Sequence, residues 1–102
     1  MPKIRIIEIT DEALKAATEQ AIAEEMAEDK ESGGYYQGRA IEYAGRDEEP
    51  IEFPESSEPE FAIIVKIKGL TNDDDKLLHW IERRIREKLG VPEFWLETVA
   101  GE

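Results

Sequence analysis

The chain has 102 residues, with 25 Asp and Glu against 13 Lys and Arg, a formal net charge of −12, and 40% apolar residues. That length and apolar share predict one domain with a real core, not a disordered acidic chain. The lack of cysteine excludes a disulfide framework and Cys-based zinc sites, the single histidine argues against a His-rich metal centre, and the acid excess disfavours binding to a phosphate backbone. No apolar run approaches the ~18–20 residues of a membrane span, and no charged-then-apolar leader opens the chain. The expectation is a cytoplasmic domain without metal or cofactor, and with neither nucleic acid nor membrane among its partners.

Taken in order, residues 3–9 (KIRIIEI) are short and β-branched and read as a strand. Thr10-Asp11-Glu12 has the capping hydroxyl and early acids of a helix start, and the helix runs over 11–29 with Leu14, Ala21, Ile22 and Met26 as its apolar stripe. Glu31-Ser32-Gly33-Gly34 ends it, and residues 36–43 read as a second strand weakened by Gly38. Residues 47–60, with Pro50, Pro54 and Pro59, read as a long acidic connection. Residues 61–68 (FAIIVKIK) form the clearest strand, with Phe61, Ile63, Val65 and Ile67 on one face and Ala62, Ile64, Lys66 and Lys68 on the other. A second helix spans 72–89 behind a Thr71 cap, with Leu78, Ile81, Ile85 and Leu89 on one side. Gly90 and Pro92 stop it, and residues 94–99 read as a fourth strand.

The order is thus β-α-β, connection, β-α-β, in one domain: a first unit over 1–46, the connection over 47–60 and a second unit over 61–102. Pro2-Lys-Ile-Arg-Ile-Ile and Pro59-Glu-Phe-Ala-Ile-Ile share the pattern P-x-Φ-x-I-I, and each strand runs into a Thr-capped helix. Both features point to a duplicated unit. The expected fold is α/β (α+β), a four-stranded mixed sheet with two helices on one face. A ferredoxin-like βαββαβ arrangement, as on a regular engineered scaffold, is the alternative.

Charge is unevenly placed. Residues 1–60 carry 6 basic and 17 acidic side chains, whereas residues 61–102 carry 7 and 8. The excess sits in 19–31 and 42–60, runs that read either as solvated faces or as a surface for a basic partner. Five cations fall on expected strands: Lys3, Arg5, Arg39, Lys66 and Lys68. They read either as guards against strand aggregation or as the lining of a pocket for a small anion. Asp73-Asp74-Asp75 fits a helix's first turn better than a Ca²⁺ loop, because the glycine and closing glutamate of such a loop are absent. His79 and Trp80 lie off the apolar stripe beside Arg83 and Glu87, a pattern of either a contact patch or local packing.

A Met-Pro start entering a strand, on a twofold β-α-β repeat, resembles the tautomerase superfamily. Residues 2–26 (PKIRIIEIT then DEALKAATEQAIAEEM) look like the first strand and helix of 4-oxalocrotonate tautomerase. Ser56-Ser57-Glu58-Pro59 before FAIIVKIKG is similar to a segment of the macrophage migration inhibitory factor group and of 5-carboxymethyl-2-hydroxymuconate isomerase. Leu89-Gly90-Val91-Pro92 resembles the LGIP of the inhibitory-factor group. The resemblance implies a homotrimeric isomerase that moves a proton in keto–enol chemistry on a small 2-oxo or enol carboxylate, with Pro2 as its base. A free α-amino group titrates near about 7.7–8.0, and nearby cations lower it, but Pro2 has a free nitrogen only once Met1 is removed. Arg39 and Lys68, with Lys66 beside them, would hold the anion and Trp95 would line the pocket, Trp95 and Glu97 standing where the family has Tyr and Asn. Strands 3–9 and 61–68 would pair antiparallel at the centre, bringing Lys68 near Pro2. The sequence departs from the family where Asp11 and Glu12 replace a second substrate arginine. The other reading is a non-catalytic acidic interaction protein, such as a phage-type DNA mimic that occupies a basic groove.

Overall fold

The computed structural model describes residues 9–51 and 60–101. Pro2, the expected strand 3–9 but for Ile9, and the whole SSEP segment lie outside these. Helix α1 spans Asp11–Glu31. Thr10 caps it, its hydroxyl accepting from Ala13 N at 3.1 Å, with Asp11 and Glu12 favourably placed against the helix dipole. Its buried stripe is Leu14, Ala17, Thr18, Ala21, Ile22 and Glu25, spaced as one helical face. Buried Thr18 satisfies its hydroxyl by donating to Leu14 O at 2.7 Å.

Strand β1 (Glu42–Ile51) pairs antiparallel with β2 (Glu60–Lys68), and β2 pairs parallel with β3 (Leu96–Gly101), giving a mixed sheet in the order β1-β2-β3. Helix α2 (Asp75–Leu89) follows a 3₁₀ turn at Asn72–Asp74 and connects the two parallel strands, so β2, α2 and β3 form a β-α-β unit. Gly90, left-handed at φ +66°, ends α2, and Val91 N donates back to Arg86 O. Ile63, Val65 and Ile67 of β2 join Leu96 of β3 and the apolar stripes of both helices in one core. Leu14, Ile67, Leu77, Ile81 and Ile85 are almost fully enclosed, each contributing roughly 1.5–3 kcal/mol by burial. The helices thus cover one face of the sheet, while Lys66 and Lys68 lie on the other. Thr98 fastens β3 to α2, its hydroxyl donating to Leu78 O at 2.7 Å. Among the described residues no helix is long and apolar enough to cross a membrane.

The structure corrects four expectations. The second strand is not at 36–43: residues 35–38 turn, and β1 begins at Glu42. Local hydrogen bonds win there, because the Asp29 carboxylate accepts from Tyr36 N at 2.9 Å and Gln37 Nε2 at 3.1 Å. The connection does not begin at 47 either, since β1 continues through Asp47, Glu48 and Glu49 to Ile51. Neighbouring cations make that acidic strand tolerable: Lys66 Nζ lies 2.9 Å from Asp47 Oδ2, and Arg46 Nη2 lies 2.6 Å from Glu48 Oε1. The last strand starts after a 3₁₀ turn at Glu93–Trp95, so Trp95 precedes it. Finally, three strands are described, and β2 has β1 on one side and β3 on the other over Ile63–Lys68. The same neighbours differ from the ferredoxin-like order, in which the third and fourth strands are not adjacent.

Gly69, directly after β2, has φ +94°, and a Cβ there would sit 2.0 Å from Ala40 O. Backbone cannot yield as a side-chain tip does. Gly69→Ala is therefore expected to lower the unfolding free energy by about 3 kcal/mol. Gly90→Ala, strained in φ but with open space around it, should cost about 1 kcal/mol. Equilibrium urea unfolding of the two variants checks the difference.

Candidate functional site

Among the described residues, the pocket candidates singled out from the sequence occupy three separate places. Arg39 lies between the turn after α1 and β1, where its Nη1 and Nη2 donate to Asp74 Oδ1 and Oδ2 at 3.2 and 2.9 Å. Nη2 also donates to Gly69 O at 3.1 Å, and the guanidinium carbon lies 5.7 Å from the Tyr36 ring centre. Asp74, almost buried, accepts in addition from Thr71 N at 2.8 Å. The guanidinium and that backbone N–H hold the Asp74 carboxyl below the usual carboxylate range, and Asp74 in turn raises Arg39. This is a staple between segments 35 residues apart, not a guanidinium fork open to a ligand.

Lys66, Lys68 and Glu97 lie on the open face of the sheet. Lys66 pairs with Asp47, and Lys68 Nζ is 3.8 Å from Glu42 Oε1. Glu97 is exposed across from Ile64. Trp95 is packed in the core, 5% exposed. The structure brings Lys66, Lys68 and Glu97 to one face but leaves Arg39 and Trp95 elsewhere. Asp73, Asp74 and Asp75 form no metal cage, and among the described residues no group of three His, Asp or Glu side chains is placed to hold a metal ion.

A different concavity is present. Helices α1 and α2 pack antiparallel, with Glu24 meeting Lys88, and Glu25 and Glu28 meeting Arg84. Where α1 ends, a cleft of about 730 Å³ opens between its last turn, the Tyr35-Tyr36 turn and the middle of α2. Its floor includes Leu77, its α2 wall holds Trp80 and Arg83, and its opposite wall holds Glu28, Asp29 and Glu31. Tyr35 is 81% exposed and Trp80 43%, the two large apolar side chains left in solvent among the described residues. The sequence pattern singles out Trp80 and Arg83, but not Tyr35. An aromatic pair directly after Gly33-Gly34 was the available signal.

No family model, curated protein or solved structure matches the chain. Function must therefore be argued from these sites themselves.

The Arg39–Asp74 staple has a pH signature. A lowered folded-state carboxylate contributes stability that is complete above its unfolded value, near 3.9, and is lost as pH falls through the folded value. The stability difference between the native protein and Asp74→Asn should be constant from pH 7 to about 5 and shrink towards zero below about pH 4. Urea midpoints across that range measure it.

Proposed function

We propose that the protein is a non-catalytic acidic interaction module that binds a basic surface of another protein. One observation carries this reading: the cations offered for gripping an anion are already occupied. Arg39 holds Asp74, Lys66 holds Asp47 and Lys68 holds Glu42. The net charge of −12 is thus not offset by a basic pocket built from these residues. The acids without an ion pair among the described residues include Glu12, Glu31, Glu49 and Glu97, all exposed. Summed over a small surface, such an excess attracts a basic groove, of the kind that otherwise binds nucleic acid, and speeds the encounter.

Binding of this kind weakens with salt and with loss of surface acids. Triple reversal at Glu12→Lys, Glu49→Lys and Glu97→Lys touches no ion pair among the described residues and should leave folding intact. It is expected to lower affinity for a captured nucleic-acid-binding protein at least about tenfold at 50 mM salt, with a smaller effect at 300 mM. Duplex DNA should compete for the same partner. Capture indifferent to salt, to duplex DNA and to the triple reversal removes the reading.

A proton-transfer enzyme built on Pro2 is the second reading, supported by the parallel β2-α2-β3 unit and by the resemblance above. It requires a processed N-terminus, a small anionic 2-oxo or enol substrate and, by the family pattern, a trimer. Intact mass should then show loss of Met1, and phenylenolpyruvate ketonisation should fall at least about 100-fold in Pro2→Ala. Equal rates in the two proteins end this reading.

A further inference from the structure

Resting on the reading of a basic partner, we propose that the cleft between α1 and α2 seats an arginine or lysine side chain of that partner, held between the Tyr35 and Trp80 rings. Exposure of two large aromatics beside one cleft is the first observation. The second is that the Tyr35 turn is fixed. Ser32 N donates to Glu28 O and Asp29 O, and Gly34 N donates to Asp29 O at 2.8 Å. Tyr36 N and Gln37 Nε2 share the Asp29 carboxylate, and Gln37 Nε2 reaches Met26 O at 3.0 Å. Tyr35 also meets Tyr36 edge to face, with ring centres 4.8 Å apart. An aromatic held this way costs little entropy to dock against, as expected of an interface anchor.

Charge selects the guest. The cleft is lined by four carboxylates and two guanidinium groups. Arg84 is saturated by Glu24, Glu25 and Glu28. Arg83 also lines the adjoining hollows, where Glu87 accompanies it. Glu31, at the mouth, has no ion pair among the described residues. An incoming cation therefore meets net negative charge and two aromatic rings, the combination that binds guanidinium and ammonium groups. The turn already shows the pairing internally, since the Arg39 guanidinium sits 5.7 Å from the centre of the Tyr36 ring.

The chain carries two tryptophans, and the buried Trp95 is an internal control for the exposed Trp80. Indole N–H signals of the full chain are followed by NMR during titration with acetyl-Gly-Arg-Gly-amide. Parallel titrations use the peptides bearing citrulline, leucine or glutamate in place of arginine. The Trp80 signal is expected to shift and the Trp95 signal to stay. Affinity for the arginine peptide should exceed that for its neutral citrulline counterpart about two- to fivefold. Tyr35→Ala and Glu31→Gln should each reduce the arginine response while Trp95 keeps its native position, which shows that the fold persists. A Trp80 signal that is unmoved, or that moves equally with citrulline or leucine, overturns the proposal. So does a preference for the glutamate peptide, which would assign the site to Arg83. These outcomes are separable from failure of the broader reading, because the triple reversal at Glu12, Glu49 and Glu97 alters partner capture without altering any side chain that lines the cleft.

Discussion

One arginine sets the relation of the two helices. Arg84 projects from α2 into a bay of α1 carboxylates, its Nε donating to Glu25 at 2.6 Å and its Nη groups to Glu24 and Glu28. Glu25 lies on the buried stripe of α1, a position where an unpaired carboxylate would be costly to desolvate. The three acids raise the Arg84 guanidinium well above its ordinary value, so it is always charged. Buried ion pairs add little net stability over apolar packing, but they penalise misalignment heavily. A slip of α1 by one turn would leave Glu25 without its cation. The clamp therefore fixes which residues of the helices meet, and that register brings the end of α1 and the Tyr35 turn to the level of Leu77 and Trp80.

Internal pairing also changes what the net charge means. A chain with nearly twice as many acids as bases must place its cations carefully to remain compact. Here they sit where acids would otherwise repel: Arg84 and Lys88 between the helices, Lys66 and Lys68 beside the acids of β1, and Arg39 against the start of α2. Exposed pairs such as Lys68–Glu42 contribute at most about 1 kcal/mol. Their larger effect is to leave the uncompensated charge on exposed positions such as Glu12, Glu31, Glu49 and Glu97. Electrostatic reach is then a property of the surface, while the interior of the fold is close to neutral.

Much of this architecture was legible in the sequence. Both helices, the β2 strand and the Gly90 stop follow from apolar periodicity, capping hydroxyls and a residue suited to positive φ. The failures have physical causes. Residues 36–43 carry Tyr and Ile at strand-like spacing, yet an aspartate seven positions earlier gathers the backbone into a turn. Asp47-Glu48-Glu49 has poor strand composition, and only cross-strand and neighbouring cations make it a strand. Arg39 looks available because its partner, Asp74, is 35 residues away. Trp95 looks like a pocket residue but belongs to the core. Sequence patterns locate charges along the chain, whereas their freedom is decided by three-dimensional neighbours.

The same reasoning separates the aromatic cleft from incidental exposure. Lone exposed aromatics are common and need no account. Tyr35 differs because the turn that carries it is tied to α1 by a network of hydrogen bonds, although Tyr35, 81% exposed, adds little to the core. Trp80 differs because its neighbours on the same helix face, Leu77 and Arg84, are fixed by the core and by the helix clamp. The backbone that carries each ring is thus held by structure that serves other purposes. Two aromatic rings lining a cleft of about 730 Å³ present an apolar surface that water solvates poorly. Carboxylates on the α1 side of the cleft then favour a guest that brings both hydrocarbon and positive charge, as the long side chains of arginine and lysine do.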